Sequence, residues 1–134
     1  MRHLTREMVN EQCKANIMDH FMDPRNAKRM EEPDAKVKVA DLDSGDFIEV
    51  YLAVEDDRIR EMTYLVFGCT GAVATASALS LMVPGLSLDQ AGALTDDDVV
   101  AWLGGKPEKL GKSNLLALRG LHEAISQYRK EDDR

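Results

Sequence analysis

Apolar positions from Thr5 to Met22 fall at Met8, Val9, Cys13, Ile17, Met18 and Phe21. Spacings of mostly three and four predict one helical stripe. Thr5 is its candidate N-cap, and Pro24 bars easy continuation. Cys13 lies on the stripe and reads as core packing. Residues 23–46 carry Pro24, Pro33, Gly45 and several charges, and read as a long connection with one short strand at 37–40. The period then changes to two. In FIEVYLAV (47–54), Ile48, Val50, Leu52 and Val54 point one way and Phe47, Glu49, Tyr51 and Ala53 the other, which predicts a half-buried strand. EDDR (55–58) is a polar turn, and IREMTYLVF (59–67) is β-rich enough to pair back as a hairpin.

After Gly68 the composition shifts to Ala, Thr and Ser with Leu79, Leu81, Met82 and Val83. That suits a closely packed helix stopped by Pro84 and Gly85. Ser87 can cap a short helix over 87–94. Thr95 can cap another, with Asp96, Asp97 and Asp98 at its positive end. The acidic triplet therefore reads as a helix start rather than a metal cluster. In 113–130, Leu115, Leu118, Leu121, Ala124, Ile125 and Tyr128 form an amphipathic stripe with Ser113 as candidate cap. Helix, hairpin-based antiparallel sheet, then helices: this order predicts an α+β fold, a small antiparallel sheet with helices packed on one face. At 134 residues, a single domain over 1–134 is expected.

Composition narrows the function classes. A hydrophobic share of 44% with 31% charged residues is that of a soluble globular chain. A net charge of −7 argues against a general grip on nucleic acid, which needs clustered positive charge. The stretch from Ala72 to Leu88 is interrupted by Thr, Ser, Pro and Gly and is too weak for a bilayer span. The opening MRHLTREMVNEQ lacks an apolar secretory core. A cytoplasmic protein without a membrane partner is the expectation. Cys13 and Cys69 make no disulfide framework, which suits a reducing compartment.

Local strings then carry a resemblance. DHFMDPRN (19–26), SGD (44–46), YLVFGCTGAVATAS (64–77), SLDQAGAL (87–94) and HEAISQYRK (122–130) occur in one ordered set. Together they resemble the iron–sulfur cluster assembly scaffolds of the IscU type, also seen as the N-terminal domain of NifU, over roughly residues 15–130. The resemblance implies a scaffold rather than an enzyme. A nascent iron–sulfur cluster is built there from iron and sulfur, a cysteine desulfurase supplies the sulfur, and recipient proteins take the product. In that family three cysteines and one aspartate surround the assembly site. Carried onto this chain, the C-G-D string becomes Ser44, Gly45 and Asp46. The second cysteine is kept as Cys69. The third falls on Ser113, and the histidine before it becomes Lys112. The family's chaperone-recognition string is represented only by KPEKL (106–110).

This donor set is degenerate. An iron–sulfur cluster is held by four strong donors, mostly thiolates, and zinc has the same arithmetic. Cys69 and Asp46 supply two, while a serine hydroxyl must lose a proton to bind well. Lys112 is no ligand and repels a cation. By resemblance the cofactor is a cluster, iron or zinc; by chemistry one protomer holds it weakly or not at all. Two protomers sharing Cys69 and Asp46 could supply four ligands, so a homodimer is the assembly that would complete the site. A helix start and Lys112 would both favour the Cys69 thiolate, the setting of a sulfur acceptor. Inherited turn geometry without chemistry is the other reading of Cys69. A thiol-dependent enzyme finds no CxxC and no convincing base. Two functions stay open: an atypical assembly scaffold, or an adaptor that keeps the fold and partner surface without a cluster.

Overall fold

The computed structural model describes residues 19–68, 70–103 and 115–132. Thr5, Cys13 and most of the predicted first helix lie outside them, as does KPEKL; residues 19–22 are helical. Three strands follow: β1 (Ala35–Ala40), β2 (Phe47–Glu55) and β3 (Arg58–Phe67). Next come α1 (Thr70–Met82), α2 (Leu88–Gly92), α3 (Asp96–Trp102) and α4 (Leu115–Asp132). The sheet order is β1-β2-β3, with both pairings antiparallel.

The hairpin between β2 and β3 turns on Asp56 and Asp57, whose φ angles are 54° and 60°. A two-residue turn with both residues left-handed matches the right-handed twist of the strands, and aspartate tolerates that conformation better than most side chains. The starts of α2 and α3 are as the sequence predicts. Ser87 and Gln90 form one capping box, and Thr95 and Asp98 another. Asp98 thus has a structural task, accepting the Thr95 N–H at 2.9 Å.

Ile48, Val50, Leu52, Met62 and Tyr64 share the helix-facing side of the sheet and are fully buried. On it, α1 lies against β3 and α4 against β1 and β2. Alanines at 72, 74, 76 and 78 keep α1 thin enough to pack closely. At α4 the approach is closer: a Cβ on Gly120 would stand 2.7 Å from Val50 Cγ2. Leu116 and Ala117, off the predicted stripe, are also buried, because α4 touches α1 and α2 as well as the sheet.

Two expectations change. The first strand begins at Ala35 rather than 37. And β2 is not half-buried: Val50, Tyr51, Leu52 and Ala53 are all buried. The chain before β1 folds onto β2, with Asp34 N–H donating to Leu52 O (2.8 Å) and Asp34 Oδ2 accepting the Val54 N–H (2.7 Å). The Lys36 ammonium sits 5.6 Å from the Tyr51 ring centre. Burial, with Glu49 beside it, raises the Tyr51 phenol above its usual pKa.

The two sheet edges differ. Along β3, Tyr64 N–H donates to Asn26 O and Ile59 N–H to Leu86 O, while Ile59 O accepts from Gly85 N–H. These segments cover that edge. Along β1, Lys36 N–H donates to Gln127 Oε1 of α4 (3.0 Å), and beyond it an open groove runs between strand and helix.

Candidate functional site

The connection between β1 and β2 is a tight loop closed on Asp41. Its carboxylate accepts the N–H groups of Asp43 (2.9 Å) and Ser44 (3.4 Å), and its carbonyl accepts that of Gly45 (2.9 Å). Asp41 N–H donates to Asp46 O at 2.8 Å, closing the loop. Gly45 has φ +80°, a conformation that favours glycine. Ser44 Oγ accepts the Asp46 N–H at 3.2 Å, so the hydroxyl helps shape the turn.

From that loop the Asp46 side chain reaches the end of β3. A Cβ built on Gly68 would lie 2.8 Å from Asp46 Cγ and 2.9 Å from its Oδ2. Glycine at 68 is what allows the carboxyl to lie against the backbone next to Cys69. The register explains the meeting. Phe47 pairs with Phe67, so the next positions outward are Asp46 and Gly68. A bulge at Ala53/Val54 sets this register; continued from the hairpin without it, the ladder would place Phe47 opposite Val66. Phe47 and Phe67 stack with ring centres 4.6 Å apart, and the Lys38 ammonium lies 4.4 Å over Phe47. Phe67 is 61% exposed and Leu42, in the loop, 95%.

The structure thus brings Ser44, Asp46 and Gly68 together at one end of the sheet. The helix α1 begins at Thr70, immediately after Cys69 in sequence. Cys69, Lys112 and Ser113 lie outside the described residues. Among the described residues, no three His, Cys, Asp or Glu side chains are grouped to hold a metal ion.

A second polar cluster locks the segment at 19–26 onto α1. His20 is buried, its Nδ1 2.7 Å from Ser77 Oγ, and the same oxygen accepts the Arg25 N–H at 2.9 Å. Asn26, with φ 60°, donates from Nδ2 to Ser80 Oγ at 3.0 Å. Burial lowers the His20 pKa, the Arg25 charge adds to this, and Asp19 opposes it. The buried Tyr64 hydroxyl has no hydrogen-bond partner among the described residues. Burial pushes this phenol up to about 12, against the influence of Ser77 and Arg25. His20 is thus a packing and hydrogen-bonding residue of this junction. Ser77 and Ser80 went unnoticed in the sequence, although two serines three apart on an alanine-rich helix are the signal that could have found them.

The chain matches the family described as NifU-like N terminal domain over residues 12–134. It is 35% identical over 112 residues to the iron-sulfur cluster assembly scaffold protein IscU 1 of Archaeoglobus fulgidus, covering 84% of this chain and 73% of that protein. It is also 35% identical over 121 residues to the nitrogen fixation protein NifU of Nostoc sp., covering 84% of this chain and 40% of that longer protein. The fold is that of the crystal structure of a nitrogen-fixing NifU-like protein (N-terminal) from Brucella abortus. The TM-score is 0.78 at 18% identity, over 92% of this chain and 99% of that one.

Proposed function

The chain belongs to the NifU-like N-terminal domain family, and from that premise we propose that it serves iron–sulfur cluster assembly as a scaffold with a reduced donor set. The observation that carries this is the Asp46 carboxyl lying against Gly68, the residue that precedes Cys69 in the sequence. In this reading the cluster, or its iron, is cargo. Asp46 and Cys69 are the strong donors, Ser44 and Ser113 the weak ones, and Lys112 favours the Cys69 thiolate. Sulfur comes from a cysteine desulfurase, recipient proteins take the product, and the protein itself is no enzyme. It works in the cytoplasm, and a homodimer that pairs two Cys69 and two Asp46 side chains would raise the donor count to four.

Anaerobic incubation with iron, a desulfurase and cysteine tests the reading, with bound iron and acid-labile sulfide as the readout. The Ser44→Cys, Ser113→Cys double variant is the companion. Cluster in the double variant with little in the parent means that the geometry is kept and the donors are reduced. Absence of iron and sulfide from both would remove cluster holding.

A second reading is an adaptor that keeps the partner surface and holds no cluster. Ser44 favours it, because its Oγ already accepts the Asp46 N–H within the loop. The desulfurase should then be retained in a pull-down by a protein that never binds iron; loss of that binding would count against the adaptor.

A further inference from the structure

We propose that the open edge of β1 is a docking site for an extended acidic segment of a partner protein, added as a fourth strand with acids at alternate positions. The Lys36 N–H turns away from β2, as its bond to Gln127 of α4 shows. By strand alternation Lys38 and Ala40 turn their amides to the same side. A groove of about 670 Å³ follows this edge, walled by β1 from Lys36 to Ala40 and by Arg119, His122, Glu123 and Gln127. The opposite edge of the sheet is covered by the segments at Asn26 and at Gly85 and Leu86, so the two edges are not equivalent.

Charge selects the occupant. The chain carries a net −7, yet this edge presents Lys36 and Lys38 on the outer face and Arg119 on the helix side, all exposed, against Glu123 on the helix and Glu49, which pairs with Lys38 from β2. The ammonium groups of Lys36 and Lys38 lie over the Tyr51 and Phe47 rings. On an added strand, every second side chain falls beside those lysines and the intervening ones fall on the side of Val37 and Val39. Acid–aliphatic–acid is therefore the matching pattern. A second copy of this chain is disfavoured, because pairing β1 with itself sets lysines against lysines.

The probe is a fluorescein-labelled peptide of alternating glutamate and valine, seven residues long by choice (about the length of β1 at one residue per ~3.3 Å). Its lysine–valine counterpart and a version N-methylated at alternate amides are the controls. Anisotropy titration needs neither iron nor desulfurase, so its outcome is independent of the scaffold reading. The acidic peptide should bind, weaken as salt rises, and perturb the Lys38 and Ala40 amide resonances. Lys36→Glu with Lys38→Glu should weaken it at least about tenfold, and N-methylation by a similar factor. The milder Lys36→Gln, Lys38→Gln pair, with circular dichroism, guards against a folding defect. Equal binding of the two charge types, no binding by about 1 mM peptide, indifference to N-methylation, or self-association through β1 would each overturn the proposal.

Discussion

The Asp46 carboxyl lies directly against Gly68, close enough that a methyl group at residue 68 would stand 2.8 Å from its Cγ. Gly68→Ala must therefore displace the carboxyl. The expected cost is about 1 kcal/mol in urea denaturation. In an Asp46→Ala background most of it should vanish, giving a coupling of about 1 kcal/mol. Strict additivity of the two changes would mean that the contact is not what constrains residue 68.

Gly120 poses the same question inside the core. Alanine on an exposed helix face usually gains about 1 kcal/mol over glycine. Here its Cβ would meet Val50 Cγ2 at 2.7 Å and Ile48 Cγ2 at 3.2 Å. Gly120→Ala should instead lose about 1–3 kcal/mol. Combining it with Val50→Ala should cost less than the sum of the single losses. A stabilised Gly120→Ala protein would contradict this packing.

Ser77 joins two segments through one oxygen, which accepts the Arg25 N–H and shares a hydrogen bond with His20. Ser77→Ala should destabilise by about 1–3 kcal/mol, since a buried imidazole nitrogen loses its partner. Amide exchange should quicken at Arg25 and at Tyr64, whose N–H bonds to Asn26 O in the same segment.

Acid should loosen the same junction. The His20 pKa is lowered in the folded protein, so the unfolded chain binds more protons between that lowered value and the ordinary 6.5. Stability is full above about pH 6.5 and falls as pH drops through this window. His20→Asn, polar but not titrating, should flatten that part of the profile relative to the parent. An unchanged slope would assign the acid sensitivity to other groups.

What was legible in the sequence was local. The alternation of β2, the Asp56–Asp57 turn and the capping residues Ser87 and Thr95 each declare themselves within a few positions. Burial of Tyr51 and Ala53 did not, because it depends on the chain before β1 folding back at Asp34. The bulge at Ala53/Val54 was equally silent, yet it decides which residue faces Gly68. Ser44, Asp46 and Cys69 came from family resemblance, not from periodicity. For Asp46, the physical reason for its place is register: a one-residue slip would aim it at the wrong face of the sheet.

The unequal edges of the sheet set a valence. A strand donor with both edges open can grow in two directions, and growth of that kind ends in filaments. Here the β3 side is capped by the protein's own chain, and the β1 side carries lysines. A strand added at β1 would therefore use the one edge left open, and copies of the protein would have no second edge of this sheet from which to extend a filament.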